Sequence, residues 1–272
     1  MNHSVLIITL LYVVFSLYSC SGKERNAHHY LSEAEQAYNA GNYSLSKLKI
    51  DSIKTLFPKS FREINDGFVL LQKVRMAENV RNIAYCDSML RESYNRLNEW
   101  VSKFDYIRDD RYQEFGEYYP KAYPYATSLS RNGLRSGVRE KGALFIESVL
   151  SGAHIKHHTV RVIVPDGSYL ETLSVASDGF NYRFDTLDNS YEIVRFCGDA
   201  ENGVAKFIYT FQKEPIRVMF IGSRSVTVTL TDAAKKGICD SFELSSLLLN
   251  IEQLKLEKEK SEALIRYLKS KK

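Results

Sequence analysis

The sequence predicts an α+β fold: an N-terminal helical hairpin and a long antiparallel coiled coil, which carries an inserted antiparallel β-sandwich or jelly-roll-like domain. Three observations predict it. Met76, Val80, Ile83, Leu90, Tyr94, Leu97, Val101 and Phe104 recur at alternating spacings of four and three, with Asp87 in one seam position. Leu244, Leu247, Ile251, Leu254, Ile265 and Leu268 form a second stripe, interrupted by Lys258 and Ser261, in a segment without Gly or Pro. Between the two stripes the period shortens from helical to alternating.

A helix from about Ser60 to Ile107 needs a partner for its stripe, and the C-terminal segment offers one. Pairing within one chain buries both stripes at once and places the intervening residues between the two arms. The alternative is that each stripe pairs with another copy; the hairpin is the more economical arrangement. Between the arms, eight runs rich in Val, Ile, Phe, Tyr and Thr read as strands: 144–149, 159–164, 169–175, 180–186, 191–196, 204–211, 216–221 and 226–230. Turn pairs such as Asp166-Gly167, Asp178-Gly179 and Asn202-Gly203 separate them. Thr231 or Asp232 supplies the oxygen that caps the returning helix.

Ahead of the long helix, residues 33–60 hold Ala34, Ala37, Gly41, Tyr43, Ile50, Ile53 and Pro58. This segment resembles one tetratricopeptide unit, with Gly41 and Tyr43 in the inter-helix turn and Pro58 closing the second helix. Ser46 and Ile53 stand where that pattern has alanine, and the motif does not recur. A solitary helical hairpin is therefore expected, without the peptide groove of a stacked array.

At the N-terminus, Val5 to Leu17 is a nearly uninterrupted apolar run, too short to span a bilayer core of about 30 Å. Leu17, Tyr18, Ser19 and Cys20 close it. This ending resembles the lipobox of bacterial lipoproteins. The resemblance implies cleavage before Cys20, lipidation of Cys20, and a membrane partner held by acyl chains rather than by a helix. Ser21 and Gly22 stand where inner-membrane retention uses an aspartate, which by the same resemblance implies the outer membrane. The whole chain resembles envelope lipoproteins that join a helical N-terminal part to a β-rich part. The expected organisation is a signal peptide at 1–19, a tether at 20–30, the hairpin and long helix at 31–107, and a Tyr-rich connector at 108–140. A β-sandwich-like head at 141–232 and the pairing helix at 233–272 complete it.

Composition narrows the function. Lys and Arg number 37 against 33 Asp and Glu, a net charge of +4 with both signs mixed, so no nucleic-acid partner is expected. The basic residues after Lys255 suit a helix C-terminus. With Cys20 assigned to lipid, Cys86, Cys197 and Cys239 allow at most one disulfide, and buried single thiols are expected.

No nucleophile elbow, zinc-protease, phosphate-loop or paired-cysteine motif occurs, and no cofactor or metal is implied. Ser136-Gly137 and Ser151-Gly152 read as turns. His154, His157 and His158 enter a strand, where neighbours point opposite ways, so a solvated loop is expected rather than a metal site. Asp109, Asp110 and Glu114 offer carboxylates whose spacing in space is open. Tyr112, Phe115, Tyr118, Tyr119, Tyr123 and Tyr125 form the most unusual segment, read either as a collar packing the head on the helices or as a binding surface for a sugar or peptide. The expected function is a noncatalytic, lipid-anchored envelope protein that presents its head for binding or assembly. A carbohydrate-binding accessory protein is the alternative, with a hydrolase behind it.

Overall fold

The computed structural model describes residues 26–125, 129, 131–176, 181–187 and 189–271. The signal segment and Cys20 lie outside the described residues. The fold is α+β, and its chain divides into two compact units: Met1–Ser88 with Leu256–Lys272, and Met89–Lys255.

In the first unit, α1 (residues 26–39) and α2 (Tyr43–Leu56) form the hairpin. Gly41 adopts φ +71 between them, a conformation glycine reaches without steric cost. The Asn42 side chain then caps α2 by accepting from the Leu45 amide. Ser46, fully buried, donates to the Ala34 carbonyl at 2.8 Å, so the hydroxyl serves where an alanine was expected. Ala27, Leu31, Ala34, Ile50 and Ile53 bury against Leu70 and Val74 of α3 (Phe61–Val101). Residues 26–30, assigned from sequence to the tether, are helical because Ala27 belongs to this core.

The long C-terminal helix α5 (Asp232–Ser270) contributes to both units, as does α3. In the first unit Asn82 donates to Ser261 Oγ at 2.7 Å and Lys258 Nζ meets Asp87 Oδ1 at 2.6 Å. Asp87 and Lys258, one interruption from each stripe, therefore meet. The predicted seam needs one correction: Val80 and Tyr94 are 54% and 42% exposed, whereas Cys86 and Ser93 are buried. Small side chains let two backbones approach closely, and their polar atoms stay paired, as Ser93 is by Asn250. A hydrophobicity pattern does not register such positions.

The second unit holds two antiparallel sheets. Strands β1 (Phe104–Ile107), β2 (Glu117–Pro120), β3 (Gly133–Arg139), β4 (Leu144–Ser151), β7 (Asn181–Asp185) and β8 (Ser190–Cys197) form one, ordered β1-β2-β3-β4-β8-β7. The other, ordered β10-β9-β5-β6, uses β5 (Thr159–Ile163), β6 (Tyr169–Glu171), β9 (Arg217–Ile221) and β10 (Ser225–Thr229). One core gathers Leu134, Ile146, Leu150, Val194 and Phe196 from the first sheet and Val160, Val162, Val218 and Phe220 from the second. Ala234 and Ile238 of α5 join it. Phe104, Val138, Leu244 and Leu248 form a separate cluster, with Leu97 and Trp100 against it.

Three expectations fail here. Residues 204–211, read as a strand, form helix α4 (Val204–Thr210). Asn202 and Gly203 both adopt left-handed conformations, and the Glu201 carboxylate accepts from the Gly203 and Ala205 amides, which starts a helix. Val204, Ala205 and Ile208 then share its buried face. Second, the long helix stops at Val101, and the expected connector supplies β2 and β3. Third, Ser136 and Gly137 lie inside β3 rather than in a turn. The ring of Phe145, cross-strand from Gly137, occupies the space a Cβ there would need.

Candidate functional site

Register assembles the first polar group. Arg135 on β3 faces Glu147 on β4, which faces Arg195 on β8, so three charges of alternating sign line one face of the larger sheet. Glu147 accepts from Arg135 Nε at 2.6 Å and from Arg195 Nε at 2.7 Å. Arg195 continues to Glu117 at 2.8 Å, and Tyr119 donates its hydroxyl to the same carboxylate. Burial and the bond to Glu117 push the Tyr119 hydroxyl well above the usual phenol range. Burial opposes the charge on Arg195, but Glu147 and Glu117 outweigh it and hold the guanidinium protonated more firmly than usual. Tyr125 lies under the Arg135 guanidinium at 3.6 Å, and Phe145 under Arg195 at 3.9 Å. The arrangement ties four strands together.

The opposite face carries a second group. Ser148, next to Glu147 on β4, points to the other side of the sheet, as does Glu192 of β8. His157 arrives from the loop before β5. Its Nε2 lies 2.7 Å from Ser148 Oγ and its Nδ1 lies 2.8 Å from Glu192 Oε2. Since a carboxylate only accepts, the ring proton sits on Nδ1, and Nε2 accepts from the serine hydroxyl. Burial lowers the His157 pKa, against the upward pull of Glu192, and keeps the ring neutral. Burial alone would raise the Glu192 carboxyl, but the His157 and Lys156 amides and the imidazole lower it overall.

Hydroxyl, imidazole and carboxylate thus stand in the order of a hydrolase triad. Access decides what this arrangement can do. Ser148 and His157 are both 0% exposed, and the adjoining cavity of about 130 Å³ is bordered by Glu192 but not by Ser148. A carbonyl substrate has no approach to the hydroxyl. His157 also corrects the expectation of a solvated loop, because its partners come from distant strands. Gly222 makes the seat possible, since a Cβ there would overlap the Ile155 carbonyl oxygen and crowd the His157 backbone.

Beside that cavity lies an aromatic cluster. Phe184 and Tyr191 are cross-strand partners, their rings 5.1 Å apart and 18° from parallel, and Tyr182 shares their face. Tyr182 and Phe184 are 57% and 42% exposed. His154, Lys156 and Asp185 line the cavity alongside Phe184 and Tyr191. Alternation in Asn181-Tyr182-Arg183-Phe184-Asp185 carries a signal for this surface, but the cross-strand partner follows only from the register.

The aromatic segment singled out from sequence does not form one surface. Tyr112 is exposed, and Phe115 stands under the Lys141 ammonium. Tyr118 packs on the Phe104 cluster, Tyr123 on the main core, and Tyr119 and Tyr125 on the charged row. Cys20 lies outside the described residues. Cys86, Cys197 and Cys239 are unbridged. Among the described residues no group of His, Cys, Asp and Glu could hold a metal ion, and no helix is long and apolar enough to cross a membrane. Comparisons with protein-family models, curated proteins and solved structures found no match.

Proposed function

We propose that this protein is a noncatalytic, lipid-anchored envelope protein whose β-rich unit, a β-sandwich, performs binding or assembly. In this reading α3 and α5 pair within one chain as an antiparallel coiled coil. The sealed Ser148–His157–Glu192 group carries the noncatalytic part, because the only triad-like arrangement among the described residues is used to fasten β4, β8 and the loop before β5. The coiled coil draws support from the contacts Asn82–Ser261 and Asp87–Lys258, and the sandwich from the core common to both sheets. The anchor rests on Leu17 to Cys20.

A fluorophosphonate probe tests the central claim. The full-length chain is expected to remain unlabelled; labelling that disappears in Ser148→Ala would make it a hydrolase instead. Replacing Cys20 by Ser is expected to abolish fatty-acid incorporation and release the protein from membranes. Retention of both would reject the anchor.

A carbohydrate-binding role is the second reading, favoured by Tyr182, Phe184 and Tyr191 beside a small polar cavity. Exposed rings with neighbouring polar groups suit a sugar's apolar face and hydroxyls. Tyr182→Ala with Phe184→Ala should then remove retention on a glycan array; an array silent with the unaltered chain would dismiss this reading.

A further inference from the structure

The first unit contains an apolar groove of about 690 Å³ formed by Tyr38 of α1, Phe68, Val69 and Met76 of α3, and Tyr267 and Leu268 of α5. Phe68, Val69 and Tyr267 are 60%, 55% and 57% exposed, an unusual concentration of large apolar side chains facing water. Its volume lies within the range of about 300–1,000 Å³ found for small-molecule sites. The charged residues that line it are Lys73 and Lys271, both exposed; no carboxylate does. Neither lysine has an ion-pair partner among the described residues. An occupant therefore needs an apolar body and a negative head.

The groove follows α3 from Phe68 to Ala77, about 14 Å at 1.5 Å per residue. A hydrocarbon chain brings only apolar surface to this lining, whereas an extended peptide also brings backbone amides and carbonyls that it would leave unpaired.

We propose that this groove binds a long-chain fatty acid, with its hydrocarbon on the apolar floor and its carboxylate met by Lys73 and Lys271. The site is independent of the β-rich unit, so it stands or falls separately from the binding role proposed above.

Equilibrium dialysis with labelled palmitate tests it, using the full-length chain with Cys20→Ser so that its own acyl groups do not compete. One saturable site per chain is expected. Shortening the chain should weaken binding by up to about fourfold for each methylene withdrawn from the groove. Lys73→Glu with Lys271→Glu changes only exposed side chains and should weaken palmitate at least tenfold while leaving its methyl ester unchanged. Val69→Glu should abolish binding of both. Absence of saturable palmitate binding, indifference to chain length, or equal loss of acid and ester in the lysine variant would overturn the proposal. So would self-association of the chain that Val69→Glu abolishes without any palmitate binding, which would assign the groove to a second copy.

Discussion

Glu147→Gln removes one negative charge while keeping the side chain's shape. Glu147 is 2% exposed and lies 2.6 Å from Arg135, itself 3% exposed, and 2.7 Å from Arg195. Arg195 retains Glu117 at 2.8 Å, whereas Arg135 loses Glu147 and keeps contacts that include the Tyr125 carbonyl and ring. Breaking a buried pair by removing one partner costs about 3–5 kcal/mol, a large part of the roughly 5–15 kcal/mol that holds a domain folded. With a urea slope of about 2 kcal/mol per molar, the midpoint should fall by roughly 2 M. Replacing both partners, as in Arg135→Met with Glu147→Leu, removes both charges of the pair and should recover at least half of that loss. Urea unfolding followed by tryptophan fluorescence and circular dichroism measures both variants. A loss under about 1 kcal/mol for Glu147→Gln, or a double variant less stable than the single one, would refute the view that charge compensation holds this face together.

Three further outcomes are expected. His157 binds a proton less readily folded than unfolded, so its contribution is complete above the unfolded value near 6.5 and is lost as pH falls below it. Unfolding free energy measured from pH 7.5 to 5 should decline in the unaltered chain and be flatter in His157→Gln; equal slopes would contradict this. Gly222→Ala should cost about 3 kcal/mol by forcing the Ile155–His157 backbone aside, with a lowered thermal midpoint as the readout. Leu244→Asp places a charge in a fully buried position against Phe104, Val138 and Leu248. It should remove cooperative unfolding of the second unit, and a variant melting within about 2 °C of the parent would show that this cluster is dispensable.

Local chemistry made much of the secondary structure legible. Gly41, Asn42 and Tyr43 mark the hairpin turn in sequence and make it in the structure, because one residue needs positive φ and the next caps a helix. Strand runs at 159–164 and 216–221 are legible because their alternation suits a sheet with one buried face, and 144–149 because a short apolar-rich run suits a strand covered on both faces, as β4 is. Residues 204–210 defeated the same reasoning: Val204, Phe207, Ile208 and Tyr209 have strand preferences, and packing on the main core overrode them. The buried polar groups were not legible at all. Ser148, His157 and Glu192 are separated by 9 and 35 residues, and nothing near any of them in sequence names its partners.

By itself the chain's order of residues determined its α+β character, two helical segments with interrupted apolar stripes, and an N-terminal apolar run closed by Leu17 to Cys20. These follow from periodicity, capping and spacing, which act between residues close along the backbone. Tertiary structure alone decided which small polar side chains are buried in the helix contacts, which charges share a sheet face, and that Ser148 is closed to substrate. Burial and register arise from distant segments meeting, so the same serine or glutamate reads identically in sequence whether it lies in solvent or in a core.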